Sequence, residues 1–385
     1  MLKQYRLRDY NFRLVLWIAA LASIGVLLVG SADASLQTKQ LAGVIVGIVV
    51  MLLVSMVDFS WIMNFYWIGY IANLVMLAAV RLLGLGNSVN GASRWLTIAG
   101  IRFQPVELSK IVLIVFFAKY FMVHENDLNE PKMVLRSILL IALPLILIIS
   151  QPDLKNTITV TVLFAIMYFI AGLSYRYILA VILAVVPLAA IFMGIVIQPD
   201  QSLVKDYQRK RIMAFLNPDN PEYSDDTTQQ NNSVIAIGSG ELTGKGLNNT
   251  DVSSANKGDF ISEIETDFIF AVAGEELGFL GSAGIVILLL LISLECILIS
   301  FRSKDLSGQI VSCAMASLIA IQSFINIGVA TRLLPNTGTP LPFVSYGLTS
   351  LLTLFLGMGV VLNVGLQARI HVPAYGRRSG RRAGV

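Results

Sequence analysis

Glu263, Glu265 and Asp267 stand where a polar stretch meets the apolar run Phe268, Ile269, Phe270, Ala271, Val272, with Glu275 and Glu276 two turns further on. A carboxylate at the entry to an apolar segment is costly to keep there and reads as functional by default. The chemistry open to it is general base catalysis, in which a carboxylate within hydrogen-bond reach of a hydroxyl takes its proton. Partial burial and neighbouring carboxylates both raise a carboxyl pKa toward working pH, and both are on offer at this boundary. The competing reading of Asp267 is an N-cap or an acidic first turn, since anions favour helix N-termini.

Four further constellations bring cations or small polar groups together. Asn90, Gly91, Ala92, Ser93, Arg94, Trp95 is followed by Arg102, Phe103, Gln104, Pro105, Val106, Glu107, Leu108, Ser109, Lys110. Pro105 suits a first helical turn, and Glu107 and Lys110 are then i, i+3 neighbours on one face. They form either a charged wall where Arg94, Arg102 and Lys110 hold an anionic headgroup, or a self-neutralising pair with Trp95 as an interfacial anchor. Asp206 to Leu216 is basic and amphipathic, the pattern of a helix lying in the interface plane; it attracts pyrophosphate lipids or serves as a general anchor to anionic lipid. Gly238 to Gly246 contains Lys245 but fails the phosphate-loop pattern, because Gly246 stands where Ser or Thr is required, and reads as a tight turn. Arg332 precedes Pro335, Gly338, Pro340, Pro342 and Ser345, a broken segment that suits a lipid-linked anionic substrate or a packing hinge.

These residues need a scaffold, and the composition names it. Of 385 residues, 56% are hydrophobic and 14% charged, against soluble averages of about 45–50% and about 25%. Apolar stretches near the length that crosses a bilayer recur along the chain, and in lipid such runs must be helices. The expectation is an all-α polytopic membrane protein of about ten spans, roughly 12–30, 40–57, 62–82, 105–123, 133–150, 156–172, 176–196, 267–301, 308–331 and 343–367. Residues 1–385 form one domain, with 197–266 as a large extracytoplasmic loop between spans seven and eight. Lys3, Arg6, Arg8 and Arg13 at one end, and Arg369, Arg377, Arg378, Arg381 and Arg382 at the other, put both termini in the cytoplasm. The first apolar run, with Ala32 and Ala34 after it, is too long for a signal peptide's core and reads as a retained span. Two cysteines and two histidines leave no disulfide framework or histidine site, and the net charge of +4 reflects cytoplasmic anchors rather than nucleic acid.

Five stretches, in order, resemble the SEDS family (shape, elongation, division and sporulation), the group of RodA, FtsW and SpoVE. They are Asn90–Trp95, Phe103–Lys110, Ile235–Gly246, Glu265–Gly281 and Leu333–Gly347, and the resemblance covers nearly the whole chain. It implies a ten-span glycosyltransferase of the bacterial cytoplasmic (inner) membrane that polymerises lipid II into peptidoglycan at the outer face, with undecaprenyl pyrophosphate leaving and inversion at the anomeric carbon. It implies Asp267 as the catalytic residue and Arg94, Glu107, Lys110, Lys245, Arg332 and Ser345 as substrate-binding residues. Implied partners are lipid II, undecaprenyl-pyrophosphate-linked glycan, a class B penicillin-binding protein that crosslinks the product, and other elongation or division proteins. No cofactor is fixed, with a divalent cation (Mg2+ or Mn2+) near Asp267 left open. The chain departs from the family's usual residues at Val106, Asn232, Ser262 and Gly347–Thr349; Asn232 puts one polar cavity contact in doubt, and none of these touches Asp267. The glycine-rich stretch looks closer to elongation-type RodA than to division-type FtsW. Two other readings are a flippase for lipid-linked precursors, for which Glu295 is the one ionisable residue read as mid-span, and a non-catalytic scaffold.

Overall fold

The computed structural model describes residues 10–82, 86–89, 92–98, 101–198, 204, 206–218, 220–248 and 261–370. In chain order the helices are α1 (Phe12–Ala32), α2 (Ala34–Met56), α3 (Phe59–Ile62), α4 (Tyr66–Leu82), α5 (Pro105–Val123), α6 (Pro131–Ser150), α7 (Leu154–Ile170), α8 (Tyr175–Val196), α9 (Asp206–Leu216), α10 (Ser224–Ser239), α11 (Ile269–Phe301), α12 (Leu306–Ala330) and α13 (Leu348–Ile370). Each expected span falls on one of them, leaving α3, α9 and α10 as additions. Among the described residues, seven helical stretches are long and apolar enough to cross a membrane, and the protein is an all-α polytopic membrane protein. The cationic tails at Lys3–Arg8 and Arg377–Arg382 lie outside the described residues.

Boundaries follow local chemistry. Asn11, Asp33, Asp58, Asp153 and Asp305 each accept a backbone N–H in the first turn of the helix they precede, supplying an acceptor for donors that no helical carbonyl reaches. Pro105 and Pro131 open α5 and α6, where the missing N–H costs nothing. The core lies where α13 packs on α2 and α5, and α11 packs on α1 and α12.

Helix α11 is broken at Gly278, whose φ of 66° and ψ of −165° are not helical. A break at this depth leaves backbone groups without helical partners, which the membrane cannot satisfy. The glycine-rich stretch satisfies them. Lys245 N–H donates to Glu275 O and Gly246 N–H to Glu276 O, each at 3.0 Å, while Phe279 N–H donates to Glu241 O at 2.8 Å and Leu280 N–H to Leu242 O at 3.1 Å. A methyl group on Gly240 or Gly244 would run into the carbonyls of Gly274 and Glu276. Gly238–Gly246 is thus a structural turn laid along the break.

Three features differ from the sequence expectation. Gly86–Val89, Ala92–Ile98 and Ile101–Phe103 (β1 to β3) form an antiparallel sheet in the order β1-β2-β3, where the sequence reading offered a charged wall or an ion pair with Trp95 as an interfacial anchor and no strands; Trp95, Thr97, Ile98 and Ile101 are the β-formers that support it. The long loop carries, besides the amphipathic helix expected over Asp206–Leu216 (α9), a second helix, α10, that was not expected. Helix α10 is polar, yet it packs on α11 and α12 because Gln230 donates to Val329 O at 3.1 Å and Leu334 O at 2.9 Å, and Ser233 to Ala330 O at 2.8 Å. Those carbonyls lie at and just beyond the α12 C-terminus, where few helical N–H donors remain. Glu295 is not an isolated mid-span carboxylate: Asn11 Nδ2 donates to it at 2.7 Å and Arg13 approaches at 3.4 Å, at the start of α1.

Candidate active site

Asp267 sits just before α11. The residue at the N-cap position is Phe268, and no side chain caps the helix, so the Asp267 carboxylate is not consumed by its own helix. Its main chain is tightly held. The carbonyls of Glu265, Thr266 and Asp267 accept, in turn, from Tyr346 N–H at 2.9 Å, Ser345 Oγ at 2.6 Å and Asn326 Nδ2 at 2.9 Å. Ser345 Oγ also accepts from Leu341 N–H at 2.7 Å, and Asn326 Nδ2 also donates to Thr339 O at 2.8 Å. The two motifs Glu265–Gly281 and Leu333–Gly347 therefore meet main chain to main chain, and the carboxylate projects from a fixed backbone. Burial first, with the charges of Glu263, Asp33 and Asp267 adding to it and a backbone hydrogen bond opposing, pushes Glu265 above the usual carboxylate range.

Gly338 lies over Asp267. It adopts φ +71°, a conformation open to glycine and strained for other residues. A methyl group there would stand 2.9 Å from Asp267 Oδ2 and 3.5 Å from Arg211 Nη1. Lys155 Nζ donates to Gly338 O. Arg211 comes from α9, which is moored to the chain just before α7: Tyr207 Oη and Gln208 Nε2 donate to Pro152 O at 3.0 and 3.1 Å. Arg211 belongs to the basic run read in the sequence as attracting pyrophosphate lipids or anchoring to anionic lipid, whereas Lys155 has no role in the sequence reading. For Lys155 the available signal was a cation in the first turn of a span, opposed to the helix dipole.

The other sequence candidates are placed as follows. Lys110 and Glu107 are 1% and 5% exposed and pair at 2.8 Å, with Asn156 Oδ1 accepting from Lys110 at 3.3 Å. Asn156 in turn bonds Asp153, which accepts from Gln104 at 3.3 Å, so this charge pair ends inside a closed network between α5 and α7. Arg94 lies on β2, and its side chain is outside what the structure describes. Lys245 pairs with Glu275 at 2.8 Å, beside the α11 break. Arg332 takes φ +59° just past α12 and donates to Asn231 Oδ1 at 2.5 Å. Ser345 is buried, its hydroxyl engaged by Leu341 and Thr266 as above. Among the described residues no three His, Cys, Asp or Glu side chains come together as a metal cage.

The chain is 32% identical over 379 residues to "Probable peptidoglycan glycosyltransferase FtsW" of Geobacter sulfurreducens, covering 94% of this chain and 96% of that protein. It is 32% identical over 360 residues to "Peptidoglycan glycosyltransferase MrdB" of Escherichia coli K12, covering 91% and 92%. Its fold matches a chain of a peptidoglycan synthase complex that coordinates polymerization and crosslinking, with TM-score 0.77 and 25% identity over 93% of this chain and 98% of that one. It also matches the Thermus thermophilus rod shape determining protein RodA, with TM-score 0.67 and 25% identity over 92% and 96%. Residues 9–370 match the FtsW/RodA/SpoVE family, described as cell cycle proteins, and the chain belongs to that family.

Proposed function

We infer that this protein is a peptidoglycan glycosyltransferase that polymerises lipid II, with Asp267 as the general base. The observation that carries the assignment to Asp267 is its carboxylate at a span entry, on a main chain held by three donors, with no cap hydrogen bond from it to the helix it precedes. Asp267 takes the proton of the sugar 4-hydroxyl as that oxygen attacks the anomeric carbon of the growing chain. The new C–O bond forms as the bond to the pyrophosphate breaks, undecaprenyl pyrophosphate leaves, and attack from the opposite face inverts the centre. Negative charge growing on the leaving group calls for preorganised cations. No step here is routed through a metal ion.

The site opens at the outer face of the bacterial cytoplasmic membrane, with both termini in the cytoplasm. A class B penicillin-binding protein crosslinks the product, as the kinship with a synthase complex supports, and the glycine-rich stretch favours an elongation role. The test is lipid II polymerisation by the purified protein, with and without its partner, beside Asp267→Asn. Loss of general base catalysis lowers the rate by about 10²–10⁴-fold with the fold intact. Equal glycan from both proteins would remove Asp267 from the mechanism.

A further inference from the structure

We propose that Lys155, together with Arg211, forms the diphosphate-binding clamp of this site, and that Lys155 exchanges Gly338 O for a phosphate oxygen when a lipid diphosphate enters. The proposal rests on Asp267 being the reacting carboxylate. Four observations carry it. First, both cations converge on Gly338, where an added methyl group would meet the Asp267 carboxylate. Second, among the described residues neither has an anionic partner, whereas Lys110, Lys245 and Arg13 are paired with Glu107, Glu275 and Glu295. Two uncompensated cations beside one carboxylate suit a ligand carrying more than one negative charge.

Third, Lys155 occupies the first turn of α7, where the helix dipole disfavours a cation. Asp153 already caps that helix, accepting from Asn156 N–H at 3.3 Å, so the ammonium contributes nothing to starting it. Its one described side-chain bond is to a neutral carbonyl, which a phosphate oxygen replaces with a charge-assisted bond. Fourth, Tyr207 and Gln208 fix α9 to Pro152, immediately before α7, so Arg211 and Lys155 are set relative to each other before any ligand arrives. In the resting site Lys155 holds the Gly338 segment onto Asp267, and the incoming diphosphate releases that hold as it binds.

The test measures binding apart from turnover. Asp267→Asn protein in detergent is titrated with undecaprenyl pyrophosphate and with undecaprenyl monophosphate, alone and with Lys155→Gln, Lys155→Arg or Arg211→Gln added. The expected result is a diphosphate affinity about tenfold weaker for Lys155→Gln, the loss of one hydrogen bond to a charged group, with a smaller change for the monophosphate and recovery in Lys155→Arg. In the active protein, Lys155→Gln raises KM for lipid II more than it lowers kcat. Lys155→Gln loses the bond to Gly338 O and also relieves a cation at a helix N-terminus, so its thermal midpoint stays close to that of the parent. Unchanged diphosphate affinity in Lys155→Gln overturns the clamp while leaving Asp267 in place. Diphosphate binding by none of the proteins, with Asp267→Asn polymerising at the wild-type rate, overturns the clamp and the underlying reading together.

Discussion

The first turn of α7 divides two polar clusters built on opposite plans. Asn156 turns toward Lys110, Glu107, Asp153 and Gln104, a buried set whose members bond one another. Lys155, its neighbour in sequence, turns toward Gly338, Asp267 and Arg211, where among the described residues the charged side chains form no ion pair. Buried charges left without partners are expensive, and a closed network avoids that cost. The contrast separates residues that hold the bundle together from residues kept available for something that arrives later. Charge alone does not make that separation, since both clusters hold a lysine and a carboxylate.

The comparison breaks most visibly at Lys110. Lys110→Met strands Glu107 in the interior, and a buried pair broken on one side costs about 3–5 kcal/mol; the thermal midpoint of the solubilised protein should fall sharply and recover when Glu107→Leu is added. A Lys110→Met protein of undiminished stability that fails to bind lipid diphosphate would reverse the two assignments. Next in size, Gly338→Ala places a methyl against Asp267 and in a strained backbone; turnover should fall by about a hundredfold, the scale of a 1 Å misplacement, with a far smaller change in midpoint. Asn326→Ala leaves the Asp267 and Thr339 carbonyls without their donor, which costs about 1–3 kcal/mol, so midpoint and turnover should drop together.

The smallest effect is at Glu265. Its folded pKa is raised, so its contribution to stability is complete below the ordinary value of 4.5 and is lost as pH rises through the raised value. Glu265→Gln should match wild type in acid and become the more stable of the two as pH climbs from 4.5 toward neutrality. A thermal midpoint series over pH decides it; parallel curves would remove Glu265 from the acidic cluster.

The spans were legible because a run of apolar residues carries its own reason to be helical, whatever the rest of the chain does. Asp267 was legible for a related reason, as a carboxylate at the end of such a run. What escaped depends on distant partners. Helix α10 has no apolar stripe to announce it and stands on Gln230 and Ser233 reaching carbonyls at and beyond the end of α12. The break at Gly278 is satisfied by residues 241–246, more than thirty positions upstream. The contact of Lys155 and Arg211 through Gly338 joins three segments with no local pattern in common. The Glu107–Lys110 spacing was visible, while the partners that extend the pair into a network, Asn156 and Asp153, come from another helix.

The break in α11 also separates two lengths that a continuous helix would have to reconcile. The helix runs for 33 residues, about 50 Å at 1.5 Å per residue, well beyond the ~30 Å hydrocarbon layer. The piece after Gly278 alone measures about 35 Å, close to that layer, so hydrophobic mismatch is absorbed there. The piece before Gly278 takes its position from residues 241–246 rather than from the lipid. Asp267 is therefore referenced to protein, and its alignment with Arg211 and Gly338 should hold across bilayers of different acyl-chain length.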